Sequence, residues 1–472
     1  WKSRRYNKME EPKNAAIPTD LGTEDIGKLL KKYAFPAIIA MTASSLYNMI
    51  DSIYIGQGVG PMAISGLAVT FPQMNLSTAF GTLVGAGAAT ILSIFLGRKK
   101  YSACNKVLSN VVSLNIIIGL LFMAVSLIFI DPILYFFGAS ENTLPYAKEY
   151  MTIILYGNII THLYFGLNAA MRSTGDPKKA MGLTIFTVIL NAILDPIFIF
   201  ALDMGIAGAA WATVISQSVS LVIVMLHFSN HNRAVHFKKG ILRLNFKVAK
   251  ESLAIGSGPF LMNAAACLVT LFINQQLRSY SGDLGIGAYG ICNRIVFMFI
   301  MICMGLNQGM QPIAGYNYGA RQYSRVKQVF WKTAMSATVV TTICFLISMF
   351  IPRAATGIFT HDRELLDIAE KGLRILGLGL PTVGFQMITT NFFQSLGMIR
   401  RSVLLSLSRQ IIFLIPALYL LPLWIGAEGI WLSYPVSDVL SFLLSAIMLR
   451  SLFKKFNILK DGGDPSILGG NI

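Results

Sequence analysis

The stretch AMGLTIFTVILNAILDPIFIFAL, residues 180–202, reads as one membrane-crossing helix with a carboxylate inside it. About 20 apolar residues rising 1.5 Å each cover the ~30 Å of hydrocarbon that a bilayer presents. Asp195 sits in this run. An acid at membrane depth costs roughly 2.5–3.5 kcal/mol on insertion scales, and it persists mainly where it pairs, hydrates or carries something. A second such acid, Asp51, lies in AFPAIIAMTASSLYNMIDSIYIG, residues 34–56.

Spans of this kind recur along the chain. Twelve are counted, at about 34–57, 68–96, 107–130, 146–171, 180–202, 206–228, 251–277, 285–316, 327–350, 367–396, 402–423 and 428–449. With 54% hydrophobic and 13% charged residues among 472, the chain is an all-α polytopic membrane protein, not a soluble domain. The polar start at Trp1 does not read as a cleavable signal peptide. The five cysteines mostly lie within spans and show no CxxC spacing, so neither a disulfide framework nor a metal site is expected.

The net charge of +17 would suit a nucleic-acid partner, but its placement does not. With the N-terminus inside, and residues near span ends counted with the adjoining segment, 30 of the 39 Lys and Arg fall inside, 6 outside and 3 (Arg294, Lys332, Arg409) within spans. That split follows the positive-inside rule and places both termini in the cytoplasm. No nucleic acid is expected.

The basic connection 229–250 divides the chain into halves that resemble each other at an offset of about 222 residues. GRKKYSACNKV (97–107) matches GARQYSRVKQV (319–329), and Pro36 matches Pro259. NAAMRSTG (168–175) matches NFFQSLG (391–397), and GIAGAAW (205–211) falls near GAEGIW (426–431). Six spans per half make the repeats parallel. They form two six-helix bundles related by a pseudo-twofold axis along the membrane normal, with a substrate site expected between them. The expected organisation is a cytoplasmic segment 1–33, an N-lobe 34–228, an inter-lobe loop 229–250, a C-lobe 251–449 and a cytoplasmic tail 450–472. The sequence lacks GxxxxGK[ST], so ATP is not an evident energy source, and it lacks pore-filter repeats.

Counting from the outer ends, Asp51, Asp195 and Thr213 lie roughly 9–12 Å below the outer boundary. Asn191 precedes Asp195 by four residues and shares its helix face. Pro196 cannot donate to the Ala192 carbonyl, which frees another oxygen. Two carboxylates, an amide, a hydroxyl and a spare carbonyl suit a hard cation or a proton. The plainer alternative is a structural hydrogen bond at a helix contact for each acid. In the C-terminal half the positions equivalent to Asp51 and Asp195 are close to Asn274 and Ala417. The acid there, Asp438, falls at the depth of Arg409, and a structural ion pair is the favoured reading. Arg294 either lines a cavity or satisfies helix carbonyls; nothing in the sequence chooses.

Pro36 followed by Asp51, the loop GRKKYSACNKV, the connection MRSTGDPKKAM, and LNAILDPIFIF with GIAGAAWAT together resemble the multidrug and toxic compound extrusion (MATE) family, in its DinF-like prokaryotic branch. The resemblance covers about residues 26–450. It implies that Asp51, Asn191, Asp195 and Thr213 carry Na⁺ or H⁺ in the N-lobe, with Pro36 at a bend of the first span that couples ion binding to drug release. Tyr47, Tyr150 and Asn168 would be further network or substrate residues, and depth counting favours Asn158 over Asn168. The NorM-like pattern of coupling acids in the C-lobe is absent.

The expected function is a secondary antiporter of the cytoplasmic (inner) membrane, exporting amphipathic or cationic compounds in exchange for Na⁺ or H⁺. No other cofactor and no enzymatic activity are expected, and a complete two-lobe unit is expected to work as a monomer. A lipid-linked oligosaccharide flippase of the same superfamily is the alternative. A membrane hydrolase would want GxGD-type aspartates or HExxH, and neither appears.

Overall fold

The computed structural model describes residues 20–464 except 60, 239, 241 and 360–361. For 46–53, 56–57, 61–62, 64, 271, 274, 278 and 283 it describes the backbone alone. Twelve helical spans follow one another. The first half holds α1 (Ile26–Gly58), α2 (Pro61–Gly97), α3 (Tyr101–Ile128), α4 (144–173), α5 (Pro177–Ala201) and α6 (Gly205–Ser229). The second holds α7 (Phe246–Leu277), α8 (Leu284–Gly319), α9 (Tyr323–Phe350), α10 (363–395), α11 (Ile399–Ile425) and α12 (Ala427–Leu459). No strand occurs among the described residues. Gly282, at φ +61°, makes the reversal between α7 and α8 with a conformation that costs glycine little.

Several helices extend past their apolar runs. The first starts at Ile26 rather than at the onset of hydrophobicity. Asp25 caps it, accepting from the N–H groups of Gly27 (2.8 Å) and Lys28 (3.1 Å). Two spans are broken at matching places. The fourth breaks at Gly157, where an added Cβ would lie 2.5 Å from Val214 of α6. The tenth breaks at Leu378–Gly379, where a Cβ on Gly379 would lie 2.8 Å from Pro435 Cα of α12. Gly157 and Gly379 are 222 residues apart, so the duplication carries its breaks with it. In each half the break lies where the fourth helix crowds the sixth.

The two halves meet along a seam of glycines. A Cβ on Gly97 would lie 2.0 Å from the Tyr316 carbonyl oxygen, and one on Gly319 would lie 2.1 Å from that of Ile94. Residues 94 and 316, like 97 and 319, are 222 apart. The contact is therefore made twice, as a twofold axis between the halves requires. Gly256 comes within 1.8 Å of the Leu83 oxygen by the same measure, and Gly309 within 2.4 Å of Ala34 Cα. Contact of α2 with α7 is thereby mirrored by contact of α8 with α1.

This seam is confined to one end of the bundle, the end to which the first helix traces back and at which the last helix finishes. There one continuous core joins Leu30, Ile91 and Tyr164 of the first half with Ile255, Met310 and Phe392 of the second. At the opposite end the cores are separate. One holds Ile55, Leu67, Tyr150 and Ile206 of the first half, and another holds Ile273, Ile291, Leu373 and Trp431 of the second. The halves are thus closed together at one end and individually packed at the other.

Overpacking a close backbone contact costs about 1–3 kcal/mol. We therefore expect Gly256→Ala to shift the halves apart at the seam. The distance between spin labels at the exposed positions Lys100 and Ser324, which follow α2 and α8, should lengthen relative to the parent protein. An unchanged distance distribution would mean that the seam yields elsewhere.

Candidate functional site

One face of α5 carries Thr184, Thr187, Asn191 and Asp195, at helical spacings of three and four residues. The Asp195 carboxyl is fully buried, and Asn191 and Thr213 are buried with it. Asn191 Nδ2 donates to Asp195 Oδ1 at 3.3 Å and lies 3.4 Å from Thr213 Oγ1 of α6. Asn191 Oδ1 has no hydrogen-bond partner among the described residues. Directly above, Pro196 has no N–H for the Ala192 carbonyl, and the helix widens into a π turn at Ile197–Ala201. A carboxyl, an amide and a hydroxyl thus meet inside the first half, one turn from a backbone carbonyl that Pro196 cannot bond. This donor set fits a hard cation or a proton, not a thiophilic metal. Among the described residues no group of three His, Cys, Asp or Glu is placed to hold a metal.

The first helix brings Asp51 to this region, although the side chains of Asp51 and Tyr47 lie outside the described residues. Gly58, at the end of α1, abuts Ile199 and Phe200 of α5. Counting down from that contact, Asp51 lies about 10 Å below it and Asp195 about 6 Å, within a helical turn of one another in depth. Tyr150 is buried in the cluster that covers the site from above, with Ile55, Ile199 and Ile206.

Asn158 and Asn168 go elsewhere. Asn158 faces α2 and α3: its Oδ1 accepts from the Ser77 hydroxyl, and its Nδ2 donates to the Gly119 carbonyl at 3.2 Å. His162 joins that node through the Ser77 carbonyl, with Nε2 at 2.9 Å. Asn158 lies at the level expected from its depth, beside Gly157 and so close to Val214, but on another side of the helix from Asp195. Asn168 lies toward the seam end, where Nδ2 donates to Thr184 Oγ1 (3.1 Å) and Tyr164 Oη (3.3 Å). Pro36 is buried in α1 between Ala34 and Ile38, the residues that meet Gly309 and Gly305 of α8.

Sequence reading missed the lower part of the α5 stripe. Thr187 Oγ1 is 2.6 Å from Ser220 Oγ of α6 and donates to Tyr164 Oη at 3.2 Å. These contacts continue the polar face from Asn191 toward Thr184 and Asn168. The spacing 184–187–191–195 was visible in the sequence. Thr and Ser in apolar helices usually bond their own backbone, so they gave little reason to look.

The second half resolves its acid differently. Arg409 Nε donates to Asp438 Oδ1 at 2.6 Å, with the Asp438 side chain 3% exposed. Ser437 Oγ donates to the Arg409 carbonyl at 3.3 Å within a π turn, Ser408–Leu414. A second pair, Tyr289 Oη and Tyr434 Oη at 2.6 Å, lies close by. The pairing expected from equal depth is present. Ala417, opposite Asp195 in the duplication, offers no ligand.

The MatE family description matches the chain twice, over residues 36–197 and 259–420, an offset of 223. Multidrug export protein MepA of Staphylococcus aureus (strain MSSA476) is 28% identical over 431 residues, covering 91% of this chain and 95% of that protein. Among solved structures, that of the MATE multidrug transporter DinF-BH is 35% identical. It covers 91% of this chain and 96% of its own, with a TM-score of 0.84. A MATE family transporter of the MOP superfamily in an outward-facing conformation superposes with a TM-score of 0.88 at 22% identity, over 93% of this chain and 99% of its own.

Removing one member of a buried ion pair strands the other and costs about 3–5 kcal/mol. Arg409 keeps some exposure, so the low end of that range applies. Asp438→Ala should lower the thermal unfolding midpoint in detergent, and Arg409→Met with Asp438→Leu should recover most of the loss. If both variants melt like the parent, the pair is not structural.

Proposed function

The chain belongs to the multidrug and toxic compound extrusion family, and from that premise we propose that it is a secondary antiporter whose coupling ion is handled by the first half alone. The buried set Asp195, Asn191 and Thr213, with Asp51 at the same level of α1, would take up Na⁺ or H⁺. The single observation that carries this reading is the buried polar cluster of the first half, where Asn191 Nδ2 reaches both the Asp195 carboxyl and the Thr213 hydroxyl. In the second half the membrane acid Asp438 is held by Arg409 instead.

The transport path lies between the halves. Their shared core at one end and separate cores at the other describe a cleft closed at the seam. The surplus of Lys and Arg in the connections at the seam end supports a cytoplasmic position for that end by the positive-inside rule, with the cleft then opening outward. Alternating access would break the seam and bring the separate cores together. Ion occupancy of Asp51 and Asp195 would bias that equilibrium through α1, with Pro36 as the hinge between the α1 residues that meet Gly305 and Gly309 of α8. The cargo would be amphipathic compounds, cationic ones among them, moved by a monomer in the cytoplasmic membrane. Nothing in the site favours a lipid-linked saccharide.

Purified protein in proteoliposomes, assayed for dye export under separately imposed Na⁺ and H⁺ gradients, tests the coupling assignment. Asp195→Asn and Asp51→Asn should each abolish gradient-driven export while dye binding persists. Normal export by an Asp195→Asn protein that inserts and folds would refute the assignment.

A further inference from the structure

One charged side chain at membrane depth is unused by the ion site and by the Arg409–Asp438 pair. Arg294 lies in α8, 12 residues beyond the Gly282 reversal and so about 18 Å below it. It is exposed, and no ion pair or hydrogen bond to its guanidinium occurs among the described residues. A bare guanidinium facing hydrocarbon is costly, so arginines at such depth face a partner or a watered cavity.

The helix itself shows which. At about 100° per residue, Arg294 is within about 20° of Gly305 and about 60° of Gly309 around the α8 axis. Those two glycines are where α8 meets Ile38 and Ala34 of the first half. The opposite side of α8 carries Ala288, Cys292 and Cys303, buried in the second half's own packing; Cys292 Sγ donates to the Ala369 carbonyl at 3.3 Å. Arg294 therefore points away from its own lobe and across the gap toward the other. It sits about 16 Å above Gly305, in the part of the cleft where the two cores are separate.

Its surroundings are amphipathic. Met298, one turn below on the same face, is exposed, as is Phe297. On the facing helix α2, Phe71, Asn75 and Thr78 are exposed on the side that continues to Ala86, whose carbonyl accepts from Gln311 Nε2 of α8 at 3.2 Å. Asp195 and Asp438, the acids with described side chains that lie away from the ends of their spans, are both buried inside their own halves. Among the described residues the cleft walls thus present a guanidinium with apolar and neutral polar groups, and no carboxylate.

We infer that Arg294 is a substrate-recognition residue that selects amphiphiles carrying a carboxylate, sulfonate or phosphate on an apolar or aromatic body, zwitterions included. The guanidinium takes the anionic group through paired N–H donors, while Met298 and the rings of Phe297 and Phe71 take the apolar part. This deepens the antiporter reading, because it rests on the cleft being the substrate site, and it narrows the cargo beyond simple cations.

The test uses a rhodamine free acid and its methyl ester, which differ only in the anionic group. Their equilibrium binding to the purified full-length protein is followed by fluorescence polarisation in phosphatidylcholine nanodiscs. The parent protein should bind the acid roughly tenfold more tightly than the ester, as one charge-assisted contact would give. Arg294→Gln should bring the affinity for the acid down to that for the ester, and Arg294→Lys should keep part of the difference. Equal affinity for acid and ester in the parent, or an undiminished preference in Arg294→Gln, would overturn the inference. Loss of the acid's advantage when phosphatidylglycerol is added to the discs would assign the guanidinium to a lipid headgroup and likewise overturn it. Gradient-driven export of the ester by the parent protein reports on the antiporter reading separately, since the ester has no anionic group for the guanidinium.

Discussion

The arrangement rests on keeping the Asp195 carboxyl inside a membrane without exposing it to lipid. Burial alone would penalise the charged form heavily. The first half answers with position: Asp195 is buried between α5 and α6, against Asn191 and Thr213, under a lid of Tyr150, Ile199 and Ile206. Local helix geometry supports the same end, because Pro196 and the π turn beyond it loosen the backbone next to the acid. The second half faced the same problem with Asp438 and fixed it with a permanent counter-ion.

That contrast gives the pseudo-twofold molecule a functional polarity. Its scaffold is symmetric in detail: Gly97 and Gly319 exchange contacts with Ile94 and Tyr316, and Gly157 and Gly379 break equivalent helices. Chemistry departs from symmetry only in side chains. The first half holds Asp195 with Asn191, while the second holds Asp438 with Arg409 and exposes Arg294 on α8. On the proposed reading the ion belongs to the first half and the cargo to the cleft between the halves, and the seam of glycines is the element through which each would act on the other.

Much of this was legible in the sequence. Hydropathy marked the twelve spans, offset matching marked the duplication, and counting residues from the membrane boundary paired Arg409 with Asp438. Depth counting works because a helix rises regularly. It fails where azimuth matters: Asn158 has a suitable height but turns toward Ser77 and Gly119, on another side of α4. The seam was illegible for a different reason. Whether Gly256 is a spacer or a contact depends on Leu83, about 170 residues away, and no local pattern reports that. The helix breaks at Gly157 and Leu378–Gly379 were hidden likewise, since each is set by a neighbour in another span.

If the proposed ion site of the first half empties when cargo enters the cleft, dye binding to the detergent-purified protein should release an ion, read as protons with a pH indicator and as displaced radioactive Na⁺. The parent and the Arg409→Met/Asp438→Leu protein should release one of these ions, and Asp195→Asn none. Undiminished release from Asp195→Asn, or its loss only when the second-half pair is removed, would contradict the proposed site.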